Sequence, residues 1–153
     1  MEGYDLLLFL HVYSVVLWVG GGALLNVLGA RITRAGTAQQ LAEFGAQVEW
    51  VGLRIFTPLS VLALIVGVLM ALDDRWDFGA TWIQLGLGGW VLSFLLGAGF
   101  LGPQSGKLGR LVREHGPDDP EVRPRLQRLL LVARLDVLLL LLVVADMTMK
   151  PGA

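Results

Sequence analysis

The sequence predicts an all-α protein: a four-helix transmembrane bundle with a short interfacial helix between the first and second spans. Three observations predict it. The 153-residue chain is 55% hydrophobic and only 16% charged, well below the roughly 25% charge of soluble domains. Its apolar residues gather into four long stretches, each sufficient at about 1.5 Å per residue to cross a ~30 Å hydrocarbon core. Its 20 glycines suit helices that approach closely in lipid, where small residues form the interfaces. The length fits one integral membrane domain over 1–153, with no soluble catalytic domain. With no cysteine in the chain, disulfides, thiolate metal sites and cysteine nucleophiles are excluded.

The first span covers about 5–30, and from Leu6 to Ala30 it carries no Asp, Glu, Lys or Arg. The acidic start Met1-Glu-Gly-Tyr-Asp5 lacks the basic flank of a signal peptide, so this helix is expected to be retained. Thr37-Ala-Gln-Gln40 then has capping-box spacing with Thr37 as N-cap. Leu41, Phe44 and Val48 come next at helical spacing, which predicts the interfacial helix. The second span runs over 51–72, with Pro58 in its first turns, where a lost backbone bond is tolerated. Asp73-Asp74-Arg75-Trp76-Asp77 reads as a tight acidic turn. The third span is 81–102. Pro103–Pro124 reads as a polar loop, with a short helix around Leu108–Glu114. The fourth span, 126–149, is the least regular because it contains Arg134, Asp136 and Asp146.

Basic residues set the expected orientation. Arg31, Arg34 and Arg54 come after the first span, and Lys107, Arg110, Arg113, Arg123, Arg125 and Arg128 after the third. The other side holds Arg75 and Lys150. The positive-inside rule then places both basic connections in the cytoplasm and both termini outside, in a bacterial inner membrane. The long basic connection also carries Glu114, Asp118, Asp119 and Glu121. It therefore reads as a topology signal rather than a nucleic-acid surface, and the expected surroundings are the lipid bilayer.

Polar residues inside the spans are the candidate functional groups, since ionisable side chains are costly there. His11, Ser14, Trp18, Gly22 and Asn26 share one face of the first helix. Gly89, Ser93 and Gly97 form a small-xxx-small ladder in the third, read as packing. By depth, His11 lies in the outer half near Asp146, Met70, Met147 and Met149. Three readings of that set stand beside a histidine that merely bonds a neighbouring helix. His11 is an axial ligand to heme iron, opposite Met147, Met149, Lys150 or His11 of a second copy in a homo-oligomer. Alternatively His11, Met70, Met147 and Met149 form a soft site for copper. In the third, His11 and Asp146 handle protons together. The cytoplasmic half holds a structural polar cluster of Asn26, Arg54, Arg134 and Asp136, in which Arg54 is the expected partner of Asp136. His115 falls in the polar loop and is expected in solvent.

The run His11-Val-Tyr-Ser-Val-Val-Leu-Trp18-Val-Gly-Gly21 resembles the first helix of copper-resistance-protein-D-like membrane proteins. It is also similar to the start of the membrane protoporphyrinogen oxidase of the HemJ type. Within that group the chain looks most like an uncharacterised family of small bacterial integral membrane proteins. Pro58 and Gly67 in the second helix and the ending Asp146-Met147-Thr-Met-Lys150-Pro151 carry that likeness over nearly the whole chain. The resemblance implies heme b, with His11 at the corresponding position; in the heme reading Trp18, Asp146 and Met147 are the further cofactor-binding residues. Its copper-resistance side implies copper handling. The expectation is a heme-binding or redox-linked membrane protein; copper transfer, and a non-catalytic scaffold or assembly factor, are the alternatives. Whether the protein is an enzyme stays open.

Overall fold

The computed structural model describes residues 2–73 and 76–151, in which four helices and no strand are found. Helix α1 covers Glu2–Ala35, α2 Ala38–Asp73, α3 Thr81–His115 and α4 Val122–Met149. They run alternately up and down. The connections are short: Gly36–Thr37, the turn before Thr81, and Gly116–Glu121. Asp74 and Arg75 of the acidic turn lie outside the described residues. One end of the bundle, the tryptophan end, carries Trp76 and Trp82. The opposite, basic end carries Arg31, Arg34 and Arg113.

Helices α1, α2 and α3 are long and apolar enough to cross a membrane. Helix α4 has the length, but Arg134, Asp136 and Asp146 interrupt its apolar run. All four present large apolar side chains outward: Phe9 and Val27 on α1, Ile65 on α2, Leu95 on α3, Leu138 and Leu142 on α4. A coat of this kind, continuous around a bundle, suits lipid rather than water.

The capping box at Thr37 forms as expected. The Thr37 hydroxyl accepts from the Gln40 amide at 3.2 Å, and the Thr37 amide donates to Gln40 Oε1 at 2.8 Å. The helix that this box starts is not a separate interfacial one. Ala38–Val51 runs through a π-helical turn, Gly52–Phe56, straight into the second apolar segment. The expected polar loop after Pro103 is likewise helical. The third span passes through a second π-helical stretch, Leu95–Leu101, and continues as helix to His115. Only Gly116 breaks it, at φ 88°, a left-handed conformation open to glycine.

Close backbone approach explains why that polar segment stays helical. Gly102, Ser105, Gly106 and Gly109 lie on one buried face of α3, laid against Ala42 and Gly45 of α2. A β-carbon at Gly45 would stand 2.6 Å from the Ser105 carbonyl oxygen, and one at Gly109 2.7 Å from that of Ala42. The Glu49 carboxylate covers Gly106 and pairs with Arg110 at 3.2 Å. Ala42, Leu108, Val112, Val122 and Leu129 close the core beneath this seam. Glycine is a poor helix former, but here its missing side chain is what lets the two helices touch.

Within the apolar part, α1 packs on α2 and α4, and α3 on α4. Gly22 faces Val137 and Gly29 faces Leu130 across the α1–α4 contact. Asn26 Nδ2 donates to the Ala133 carbonyl at 3.2 Å in the same register.

Candidate functional site

Three polar loci lie inside the bundle, and the expected site residues divide among them. The first is His11, in the half of α1 nearer the tryptophan end. Its Nδ1 lies 2.9 Å from the carbonyl oxygen of Ala63 on α2. A carbonyl only accepts, so Nδ1 carries the proton and donates. In the neutral ring Nε2 then keeps its lone pair, and it has no hydrogen-bond partner among the described residues. Gly67, one turn on from Ala63, makes room for the ring: a β-carbon there would lie 3.0 Å from Cε1 and 3.2 Å from Nδ1. His11 therefore faces α2. The ring is partly buried, not lost to water or turned wholly outward.

The second locus closes the tryptophan end. Trp76 and Trp82 meet edge to face, their centroids 5.3 Å apart. The Lys150 ammonium stands 4.6 Å from the Trp76 ring centroid and 5.2 Å from that of Trp82. Lys150 reaches them because the chain turns left-handed there (φ 46°), with its amide donating to the Asp146 carbonyl at 2.8 Å. Met147 joins this apolar cluster with Ala71 and Ile83, its methyl lying in the space that a side chain on Gly86 would fill. Met149 points away and is 74% exposed. Met70 is partly buried on α2. Asp146 Oδ2 and Trp82 Nε1 are buried without a hydrogen-bond partner among the described residues. The three thioethers thus occupy different surroundings. Among the described residues there is no group of three or more His, Asp or Glu arranged to hold a metal ion.

The third locus is a central cavity of about 140 Å³ between all four helices. Both π-helical segments line it, through Gly52 and Phe56 on α2 and Gly97, Ala98 and Leu101 on α3. A π turn widens the helix locally, and such turns recur at functional sites. Its polar lining residues include Trp18, Asn26, Ser60, Ser93 and Asp136. Trp18 therefore belongs to this cavity and not to the surroundings of His11. Ser60 is tied to its own helix, its hydroxyl donating to Thr57 O at 2.9 Å, and its carbonyl accepts from Trp90 Nε1 at 2.9 Å. Asn26 Nδ2 is also occupied, by Gly22 O and Ala133 O. The remaining atoms, Asn26 Oδ1, Ser93 Oγ and Asp136 Oδ1, are buried with no partner. Ser93 stands beside the Asp136 carboxyl group, but the Ser93 Oγ and Asp136 Oδ1 atoms close no hydrogen bond of proper geometry.

The expected polar cluster is therefore only half assembled. Asn26 and Asp136 meet at the cavity, whereas Arg54 and Arg134 are exposed and do not line it. No Arg54–Asp136 ion pair forms; among the described residues the ion pairs are Arg110–Glu49 and Arg125–Glu121. The physical reason lies in the π turn. Arg54 sits within Gly52–Phe56, where the altered phase carries its side chain outward. Arg134 shares the α4 surface that exposes Leu131, Leu135 and Leu138. Sequence reasoning also passed over Ser60 and read Ser93 as packing alone. A hydroxyl in each of two facing apolar spans was the available signal.

Long outward-apolar helices, closed over buried polar groups, define this chain as an integral membrane protein. It belongs to the DUF2269 family of predicted integral membrane proteins, whose family model matches residues 5–151. No curated protein and no solved structure matches the chain.

Proposed function

We propose that the protein is a four-span protein of the bacterial inner membrane, with the basic end cytoplasmic, that binds heme b through His11. Nine basic residues at one end support the orientation, and the outward leucines of α4 support its crossing with the other three. The observation that carries the heme reading is the bond from His11 Nδ1 to Ala63 O. Metal-ligating histidines commonly donate their other ring N–H to a backbone carbonyl, which fixes the tautomer and aims the free nitrogen. The resemblance of the first helix to HemJ-type and copper-resistance-D-like proteins points the same way.

The donor set fits one axial ligand. His11 Nε2 has no hydrogen-bond partner among the described residues, while Met147 is packed against Gly86; His11 of a second copy would then supply the opposite ligand. Bound heme would supply one-electron chemistry, with its potential tuned by these ligands and the low polarity around them. The full chain purified in detergent is expected to be coloured, with a Soret band that His11→Ala abolishes. A colourless protein that binds Cu(I), and loses it on joint substitution of Met147 and Met149, would replace heme by the copper reading. A colourless, metal-free protein altered by His11→Ala only in stability would leave the scaffold.

A further inference from the structure

The central cavity has chemistry of its own, which does not depend on His11. Asp136 is only 8% exposed and Ser93 1%, so both are enclosed. Among the described residues, no Lys, Arg or His lines the cavity. The Asp136 carboxyl group is therefore the one ionisable group in the wall, with no cation of the protein facing it. Isolated carboxylates in low-polarity surroundings are costly and are ordinarily compensated. Arg54 and Arg134, the cations nearest in sequence, both turn outward. The other buried atoms without a partner among the described residues are Asn26 Oδ1, which only accepts, and Ser93 Oγ, which can accept or donate. Asp136, Asn26 and Ser93 thus stand in a wall made mostly of apolar side chains such as Phe56, Leu101 and Leu130.

We propose that this cavity binds a small organic monocation, a primary amine with an apolar body no larger than a benzene ring. The head group matches in kind: an ammonium carries only N–H donors, and Asp136, Asn26 and Ser93 in the wall each hold a buried oxygen without a partner among the described residues. The body matches in size, since 140 Å³ is close to the ~150 Å³ of an apolar protein cavity that admits benzene. The π-helical segments provide the width, because Gly52 and Gly97 bring backbone without side chain to the wall.

The test titrates the purified full chain with isobutylamine, and with isobutanol as a neutral molecule of the same shape, tracking thermal unfolding. Isobutylamine is expected to raise the midpoint in a saturable way and to bind about tenfold or more tightly than isobutanol. Asp136→Asn, which keeps the shape of the side chain, is expected to remove that preference. Gly97→Leu fills the chamber at a position where an added β-carbon meets nothing within 4 Å. It should abolish the amine effect while helix content by circular dichroism stays unchanged. Equal effects of amine and alcohol, or a preference surviving in Asp136→Asn or Gly97→Leu, would overturn the proposal. So would a high-resolution structure in isobutylamine showing only water bridging Asn26, Ser93 and Asp136.

Discussion

Replacing Gly45 by alanine probes the seam that keeps the polar extensions of α2 and α3 together. The new methyl group would lie 2.6 Å from Ser105 O and 3.1 Å from the Cα and N of Gly109. These are backbone atoms of a helix, so no rotamer change relieves the overlap. To reach ordinary contact the two helices must part by roughly 1 Å, which forfeits about a quarter to a half of each dispersion contact along the seam. Overpacking of this kind costs about 1–3 kcal/mol. Alanine's higher helix propensity returns about 0.8–1 kcal/mol. Gly88→Ala isolates that gain, because a β-carbon on Gly88 meets nothing within 4 Å. The propensity gain is common to both variants, so they should differ by the overpacking cost of about 1–3 kcal/mol, with Gly45→Ala the less stable. Reversible unfolding in mixed micelles, monitored by far-ultraviolet circular dichroism, measures the difference. Gly109→Ala opens the same gap, so adding it to Gly45→Ala should cost less than it does alone. If Gly45→Ala and Gly88→Ala unfold together, the close approach of α2 and α3 does not hold this end together.

Three further outcomes are expected. Thr37→Ala removes the hydroxyl half of the capping box and should cost about 1 kcal/mol, read as faster amide exchange at Gln40 and Leu41 with the apolar part of α2 unaffected. Lys150→Met removes the ammonium from the faces of Trp76 and Trp82. The loss should be about 0.5–2 kcal/mol, with a change in tryptophan emission; an unaltered spectrum and midpoint would count against that contact. Gly67→Ala crowds the imidazole and should lengthen or break the bond from Nδ1 to Ala63. Nitrogen-15 resonances of the ring would then show a mixed tautomer instead of one proton held on Nδ1, and any Soret band should weaken without loss of helix.

The helices were legible where one physical cause dominated. Long uncharged runs announced α1 and the apolar parts of α2 and α3. The Thr37/Gln40 pair announced the start of α2, because capping is a local matter of four residues. Gly102–His115 was hidden. Its glycines and charges read as loop, and only contact with Ala42 and Gly45, far away in sequence, makes them helical. Tertiary contact overrode propensity there. The inward placement of His11, Asn26 and Asp136 could be reasoned from the cost of exposing such groups to lipid. Their partners could not. His11 turns to Ala63 on α2 and not to Asp146. Asp136 has Ser93 beside it and not Arg54. Helix neighbours and rotational phase are settled by packing, which single-helix periodicity does not contain.

An i→i+5 turn accommodates one residue more than an α turn, so everything downstream is rotated by about 100° relative to an uninterrupted wheel. Gly52–Phe56 and Leu95–Leu101 act as phase shifters, letting the two halves of α2 and of α3 choose their inward faces separately. Selection on the membrane half is thereby decoupled from selection on the glycine seam. A one-residue deletion inside either segment would leave the helix unbroken while turning one half against the other, a lesion invisible to any inspection of hydrophobicity.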